Sequence, residues 1–117
     1  MSRHSATTQN KRYLIMKKII NSHLYDTDTA DCVGHYRNNR DDDDFRVTVE
    51  NLYRKKTGEF FLHGWGGPLT NYAQRRGQNT WSYGEEIKPM SLNDAKKWAE
   101  DHLSGENYIK IFGEVEE

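Results

Sequence analysis

This sequence has little apolar material, a single cysteine and no long hydrophobic run. Hydrophobic residues make up 34% of its 117 residues, and charged residues make up 30%. Because Cys32 has no second cysteine to pair with, an internal disulfide is excluded, which favours a reducing compartment. No apolar stretch approaches the roughly 18–20 residues that cross a bilayer, and no signal-peptide core follows the polar start. These features predict a cytoplasmic protein.

A strong net charge is also lacking, since 17 Lys and Arg residues balance 18 Asp and Glu residues and the formal net charge is −1. No overall electric field therefore points to DNA or to a membrane. Aromatic residues are well represented, with three Trp, seven Tyr and four Phe, and each of them buries a large area. A chain of this length fits one domain with a modest core of large side chains, and it has no room for a large internal cavity.

The pattern along the chain predicts a single α+β domain. Residues 1–12 are polar and unpatterned and are expected to be a disordered leader, so that the domain spans residues 13–117. A small antiparallel sheet with a central hairpin at about 45–65 is expected to pack against a C-terminal helix at about 92–103.

The hairpin is the clearest element of the sequence. Apolar and polar residues alternate over Arg46–Glu50, and Lys55–Gly58 supplies a turn in which Gly58 can adopt a positive φ. A two-residue turn places Tyr53 opposite Leu62, whereas a longer turn with a bulge at Gly58 shifts this register. Both registers remain open from the sequence.

The helix at 92–103 is predicted to begin after Ser91, whose hydroxyl can cap its first turn. Its apolar residues recur at helical spacing and form one stripe: Leu92, Ala95, Trp98, Ala99 and Leu103. Ser104 and Gly105 are expected to end this helix, and residues 106–112 to form a second short helix. Residues 85–90 are expected to form a strand that leads into the first helix.

Other segments are predicted from weaker local signals. Part of Tyr13–Tyr25 is expected to form a strand that contains a turn at Asn21–Ser22. The Asp and Thr residues that follow can cap a helix, which predicts a short helix at about Thr29–Tyr36. Leu69–Arg76 is expected to form one or two helical turns, and Trp81–Gly84 is expected to be a loop.

Catalytic and metal-binding motifs are lacking. His23, Cys32, His35 and His63 form an imaginable ligand set, but structural zinc sites usually use tight ligand pairs, and a second pair is missing. Cys32 with His35 also lacks the sequence context of an activated nucleophile. The sequence therefore predicts no enzyme activity, no cofactor and no metal, with the histidines scattered on the surface or half-buried.

The segment Arg37–Asp44 is expected to be a charged loop that ends in four adjacent carboxylates, Asp41 to Asp44. These carboxylates lack the glycine-punctuated alternation of an EF-hand loop, which disfavours cation binding. Two further interpretations remain open. The loop is either simply solvated, or it imitates DNA phosphates and occupies a basic groove.

Cations close to aromatic residues point to nucleic-acid binding as a second hypothesis. Tyr53–Lys56 and Gln74–Arg76 lie near four aromatic residues: Phe60, Phe61, Trp65 and Tyr72. Nucleic-acid binders combine phosphate-seeking cations with stacking rings, and a β-ribbon can enter a major groove. Against this hypothesis, the sequence pI is about 6.5, well below the values typical of such domains.

Several stretches of the chain resemble one family of small proteins. They are spread over residues 16–117: Met16–Asn21, Leu24–Ala30, Leu52–Leu62, Gly66–Pro68, Ala95–Glu100 and Ile111–Val115. The family consists of accessory proteins carried by conjugative elements, plasmids and phages of Gram-positive bacteria, and it has no catalytic motif. Some small proteins of this kind are anti-CRISPR proteins, which inhibit the type II effector nuclease.

The resemblance implies an anti-CRISPR protein in the cytoplasm of a bacterial host. Such a protein binds a CRISPR effector nuclease, or its complex with guide RNA, and occludes a nucleic-acid channel or a recognition lobe. Direct binding to nucleic acid is the less favoured mode, and no membrane partner is expected. The alternative function is a nucleic-acid-binding accessory or regulatory protein of a mobile genetic element.

The residues expected to bind the partner fall into two groups. One group is acidic, and the other is aromatic and lies on the hairpin face that a single C-terminal helix leaves uncovered. The acidic candidates are Asp41, Asp42, Asp43, Asp44, Glu114, Glu116 and Glu117, and the aromatic candidates are Phe61 and Trp65.

Overall fold

The structure is a computed structural model that describes residues 16–117, so the predicted leader at 1–12 lies outside the described residues. Antiparallel strands and two helices make up the described part, which confirms the α+β class. The strands are β1 (Lys17–Ile20), β2 (His23–Asp26), β3 (Asp31–Arg37), β4 (Thr48–Arg54), β5 (Phe60–Gly66), β6 (Gln74–Gly77), β7 (Thr80–Ser82) and β8 (Gly84–Met90). The helices are α1 (Leu92–His102) and α2 (Gly105–Phe112).

The main sheet has four strands in the order β3-β4-β5-β8, so it is larger than the small sheet that was expected. The predicted hairpin is present as β4 and β5, and the predicted strand at 85–90 is present as β8. Two further two-stranded sheets are formed by β1 with β2 and by β6 with β7.

The hairpin register follows the longer of the two turns considered. Leu52 lies opposite Leu62 and Tyr53 lies opposite Phe61. The Lys55 N–H donates to the Glu59 carbonyl, and the turn closes through Gly58, whose φ is +99°. Only a residue that tolerates a positive φ fits there, which is why the turn needs glycine.

This register assigns the large side chains to opposite faces of the sheet. Leu52, Phe60 and Leu62 point to the face that the helices cover, where they pack against Ala95, Trp98 and Ala99 of α1. As predicted, Ser91 caps α1 by accepting a hydrogen bond from the Asp94 N–H. The second helix also begins with a serine cap, since the Asn107 N–H donates to the Ser104 hydroxyl.

The opposite face of the sheet is covered as well. At one end, Tyr25 of β2 packs edge-on against Phe61, with 5.5 Å between the ring centroids, and Tyr53 stacks on Phe61 at 5.1 Å. At the other end, Val47 and Val49 pack with Trp65. The hairpin face that was expected to be left open is therefore core.

The short helix predicted at Thr29–Tyr36 is wrong, because this segment contains β3, which pairs with β4 along the edge of the main sheet. Asp26 does not cap a helix. Its carboxylate accepts the Asp28 N–H and forms a tight turn. Gly34, whose Cβ would lie 3.0 Å from Trp98, lets α1 approach the strand closely.

The helical turns predicted at Leu69–Arg76 and the loop predicted at Trp81–Gly84 are also wrong. The Thr70 hydroxyl accepts the Tyr72 N–H and holds a tight turn, after which β6 begins. β6 and β7 then form a hairpin, which we call the ribbon (residues 74–82). Leu69, Tyr72 and Ala73 have helical spacing, but Leu69 is 68% exposed and only Tyr72 of the three is buried, so no apolar helix face packs on the core there.

The predicted turn between β1 and β2 is confirmed, and it is strained. Asn21 and Ser22 adopt positive φ values of 51° and 67°, as a two-residue hairpin turn of this type requires. Asparagine tolerates this conformation, whereas serine is disfavoured in it.

We expect Ser22→Gly to raise the free energy of unfolding by roughly 0.5–1 kcal/mol, because glycine adopts a positive φ without steric cost. Urea denaturation followed by circular dichroism measures the change. Thr57→Gly, at a turn position without a positive φ, is the control and is expected to lower stability through backbone entropy. A Ser22→Gly protein that is less stable than the parent would contradict this account of the turn.

Candidate functional site

The acidic segment lies in the connection between β3 and β4, and hydrogen bonds hold it in shape. The Asp44 N–H donates to the Asp41 carbonyl, and the Val47 N–H donates to the Asp44 carbonyl. The Asp44 carboxylate accepts the Arg46 N–H at 2.7 Å. Asn38 bridges the base of the connection, since its amide group bonds to both Arg46 and Thr48. The loop is therefore a built structure rather than a free chain.

Arginines neutralise much of the negative charge in this loop. Arg37 pairs with Asp42 at 2.8 Å, and Arg40 pairs with Asp44 at 3.1 Å. The Arg46 backbone N–H, followed by the Arg40 guanidinium, holds the pKa of Asp44 below its usual range. The loop thus holds four carboxylates close to the guanidinium groups of Arg37, Arg40 and Arg46, so it does not present a row of four free charges.

Two carboxylates in the loop, Asp41 and Asp43, are exposed and have no ion-pair partner among residues 16–117. Two exposed apolar side chains accompany them. Phe45 is 59% exposed and Leu69 is 68% exposed, and the Leu69 N–H donates to the Phe45 carbonyl at 2.9 Å. We call this set of four residues (Asp41, Asp43, Phe45 and Leu69) the acidic–apolar patch.

A glycine makes the close approach within the patch possible. Gly67 donates its N–H to the Val47 carbonyl, and any Cβ on Gly67 would overlap the Phe45 carbonyl. Two backbone hydrogen bonds therefore join the two connections that carry the patch. One runs from the Gly67 N–H to the Val47 carbonyl, and the other runs from the Leu69 N–H to the Phe45 carbonyl. The backbone that carries the patch is therefore held in place before a partner binds.

The structure does not bring all of the candidate residues to this surface. Phe61 and Trp65 are only 0% and 2% exposed, so the open hairpin face on which their role as contact residues depended does not exist. The physical reason is the cover supplied by β2 on one side and by Val47 and Val49 on the other. These two residues belong to the core.

The acidic candidates of the C-terminal segment, Glu114, Glu116 and Glu117, are exposed and follow α2. The helix that precedes them packs through Phe112 against Phe60, with ring centroids 5.4 Å apart. Phe60 lies at the turn end of the hairpin, whereas the acidic–apolar patch follows the opposite strand ends. The two acidic groups are therefore not parts of one surface.

Phe45 and Leu69 were not among the candidate residues. A weak signal for them exists in the sequence, because Phe45 directly follows the acidic block and Leu69 follows Gly66–Pro68. Both are single apolar residues within polar or glycine-rich connections, where few neighbours are available to bury them. Exposed apolar groups of this kind mark interaction surfaces when they cluster.

The residues considered as metal ligands or nucleophiles lie apart. Cys32 and His35 are on β3, where the Nδ1 atom of His35 lies 2.6 Å from the Asn51 side-chain oxygen. His63 was expected at the surface or half-buried, but it is 2% exposed in β5, because Glu85 places a carboxylate oxygen 2.7 Å from its Nε2 atom and satisfies it there. Cys32 is exposed, but desolvation by neighbouring atoms raises the pKa of its thiol, which opposes nucleophile chemistry. Within residues 16–117, no group of three or more metal-ligating side chains comes together.

A second polar cluster centres on Glu50, on the helix-covered face of the sheet. Its carboxylate accepts the Trp98 indole N–H at 2.8 Å and the Tyr72 hydroxyl at 2.6 Å. Burial and the adjacent Glu50 raise the pKa of Tyr72 far above its usual range, so the phenol stays protonated. The Tyr72 ring occupies the space over Gly64 that a larger side chain would fill. This cluster joins the sheet to α1 and to the segment that carries Leu69.

Comparison with known proteins supplies no relative: no protein-family model, no curated protein and no solved structure matches the chain. None of the helices within residues 16–117 has the length and apolar character that crossing a membrane requires.

We expect Tyr72→Phe to lower the free energy of unfolding by roughly 1.5–3 kcal/mol, because it removes a hydrogen bond to a partly buried carboxylate and retains the ring. Urea denaturation at pH 7 measures the loss. Tyr108→Phe is the matched control, since the Tyr108 hydroxyl has no hydrogen-bond partner within the described chain. Equal effects of the two substitutions would contradict the role assigned to Glu50.

The same pair of proteins is expected to show a characteristic pH dependence. Because the Tyr72 pKa is higher in the folded state than the ordinary value of about 10, its contribution is complete below that pH and declines above it. The stability difference between the parent and Tyr72→Phe should therefore narrow as the pH rises above about 10. Denaturation curves at a series of alkaline pH values test this, and a difference that widens would contradict it.

Proposed function

We propose that this chain is an anti-CRISPR protein that inhibits a type II CRISPR effector nuclease by stoichiometric binding. Two things support the proposal. The first is the resemblance of residues 16–117 to accessory proteins of Gram-positive mobile elements. The second, which carries the proposal, is the acidic–apolar patch, where the exposed residues Phe45 and Leu69 are joined by a backbone hydrogen bond and Asp41 and Asp43 lie in the same loop as Phe45.

The composition of the patch suits a protein partner. Specific interfaces have an apolar centre, often with an aromatic anchor, and a polar rim that excludes water. Phe45 and Leu69 supply the centre, and Asp41 and Asp43 supply the rim. Effector nucleases hold their heteroduplex in a positively charged channel, and an acidic rim is complementary to such a surface.

The mechanism proposed is occlusion, in which no bond is made or broken. The patch occupies a nucleic-acid channel or a recognition lobe and prevents target DNA from entering. Its rigidity favours this mode, since the Leu69–Phe45 backbone bond and the Asp44 contacts hold it before the partner arrives. A surface already in its bound shape loses less conformational entropy on binding.

The test is a cleavage assay in which the purified chain is titrated into an effector nuclease loaded with guide RNA. We expect Phe45→Ser to raise the half-inhibitory concentration by roughly 30-fold, the typical effect of losing a central anchor. Leu92→Ser is the matched control, because Leu92 is 53% exposed and follows β8 at the turn end of the hairpin. It is expected to inhibit as the parent does.

The role of charge is tested with the double variant Asp41→Ser, Asp43→Ser. Asp42 and Asp44 are left unchanged, because their ion pairs with Arg37 and Arg40 hold the loop. We expect slower association and a weaker dependence of inhibition on salt. The same exchange at Glu116 and Glu117 removes two carboxylates elsewhere and should leave association unchanged.

Two results would contradict the proposal. A parent chain that neither binds nor inhibits any of a panel of type II effectors would overturn the function. Inhibition that survives Phe45→Ser and the double Asp variant, but is lost in the Glu116 and Glu117 variant, would move the contact surface to the C-terminal segment.

A nucleic-acid-binding accessory protein is the second candidate function. The lysines of the β4–β5 turn give it little support, since Lys55 pairs with Glu59 at 2.9 Å and Lys56 pairs with Asp31 at 3.2 Å. Arg75 and Arg76 favour it, because neither has a carboxylate partner within residues 16–117. A gel shift with duplex DNA at two salt concentrations tests this function without a nuclease.

A further inference from the structure

The ribbon has properties that the protein-binding proposal does not use. β6 and β7 form a two-stranded sheet of their own, separate from the main sheet, joined by a turn at Gln78 and Asn79. All residues from Gln74 to Trp81 are exposed. The ribbon therefore contributes little to the core, and its side chains face solvent.

The ribbon is basic within a chain that is slightly acidic overall. Residues 60–84 contain Arg75 and Arg76 and no Asp or Glu, although the whole chain has 18 such acids. Two of the carboxylates near its base, Asp44 and Glu85, are engaged elsewhere. Asp44 pairs with Arg40 and Arg46, and Glu85 lies 2.7 Å from His63. The positive charge of the ribbon is thus available to an anionic partner.

Trp81 is the exposed tryptophan of the chain. It is 52% exposed, whereas Trp65 and Trp98 are 2% and 7% exposed. Arg75 lies opposite Trp81 in the strand register, with its guanidinium carbon 5.8 Å from the centre of the ring. Arg75 is also fixed in place, because it donates to the carbonyls of Gly77 and Gln78 at 3.1 and 2.6 Å. A cation and an aromatic ring are therefore held together on the ribbon, between its base and its turn.

We propose that the ribbon is a binding site for single-stranded nucleic acid. A base stacks on the exposed ring of Trp81, and Arg75 and Arg76 contact the phosphates on either side of it. Binding to single strands by other proteins combines these two features, a stacking aromatic side chain and cations along the backbone.

The surroundings of Trp81 favour nucleic acid over a protein partner. Trp81 is the single aromatic or aliphatic side chain in residues 74–82, and the other side chains of the ribbon are amides, arginines and hydroxyls. A protein-binding anchor is usually enclosed by further apolar contacts that exclude water, and the ribbon has none. The amides of Gln74, Gln78 and Asn79 can instead hydrogen-bond to base edges or sugar.

A single strand fits this site better than a duplex. In a duplex the bases are stacked on one another, so the flat face of a base is not available to an indole ring. Unpaired bases expose that face, and proteins recognise them by stacking on aromatic side chains. Two arginines are also too few for strong binding to a duplex backbone, where 6–10 phosphate contacts are typical of salt-sensitive binders.

This inference does not rest on the proposed function, because it is tested on the isolated full-length chain without a nuclease. Labelled oligo-dT and oligo-U of about 12 nucleotides are titrated with protein, and fluorescence anisotropy and tryptophan emission are recorded. We expect saturable binding with quenching of Trp81, since the other two tryptophans are buried. Two phosphate contacts predict a salt slope of about −1.4, a loss of affinity of roughly sevenfold between 50 and 200 mM salt.

Variants assign the binding to the ribbon. Trp81→Ala is expected to weaken binding roughly tenfold or more, and Trp81→Phe, which keeps a stacking ring, only a few-fold. Arg76→Gln should weaken binding and flatten the salt slope by about 0.7. Lys97 is an exposed residue of α1, so Lys97→Gln removes the same charge elsewhere. It should leave the affinity and the salt slope unchanged.

Several outcomes would overturn the site. They are the absence of saturable binding, binding without a change in tryptophan emission, Trp81→Ala binding as tightly as the parent, and a duplex of equal length binding more tightly than the single strand. A ribbon variant that abolishes nuclease inhibition while the parent shows no affinity for oligonucleotides would instead assign the ribbon to a protein partner. Thermal melting of each variant checks that the fold is retained. If Trp81→Ala does not fold, the binding of Trp81→Phe and of Arg76→Gln still tests whether the ribbon is the binding site.

Discussion

The pairing of β4 with β5 is the constraint on which the rest of the structure depends. Gly58 permits the longer turn, and this turn sets Leu52 opposite Leu62 and Tyr53 opposite Phe61. A shift of one residue would turn every side chain of one strand to the other face. The same register also aligns Thr48 with Gly66, which brings the end of the acidic loop beside the Gly67–Leu69 connection. The exposed pair of Phe45 and Leu69 is thus a consequence of a turn at the far end of the hairpin.

The hydrogen bonds of Glu50 connect the main sheet to α1 and to the segment that precedes the ribbon. A carboxylate inside a protein is unfavourable unless hydrogen bonds satisfy it, and Trp98 and Tyr72 supply these bonds. Trp98 ties α1 to the sheet, and Tyr72 ties down the segment between Leu69 and the start of the ribbon. Both candidate surfaces adjoin this segment. The position of both candidate surfaces therefore depends on a partly buried carboxylate that belongs to neither surface.

Local signals in the sequence were sufficient for part of this fold. The β4–β5 hairpin, the serine cap of α1 and the turn at Asn21–Ser22 each depend on residues within a few positions of one another. β3 could not be predicted in this way, because Gly34 serves the close approach of Trp98, more than 60 residues away. The prediction that Phe61 and Trp65 contact a partner was wrong for the same reason. Whether Phe61 or Trp65 is exposed depends on cover from β2 and from Val47 and Val49, and no local pattern encodes that cover.

The two candidate surfaces have opposite charge and lie at the same end of the main sheet. Gly66 pairs with Gly84 just after the ribbon, and the Tyr83 hydroxyl donates to the Asp44 carbonyl, so the base of the ribbon touches the acidic loop. Because an acidic surface lies beside a basic one, a partner of uniform charge would be attracted by one of the two surfaces and repelled by the other. A partner that engages both must itself offer a basic protein surface next to an exposed strand of nucleic acid. A nuclease loaded with its guide RNA has that combination, whereas free nucleic acid or a free basic protein has only one half of it.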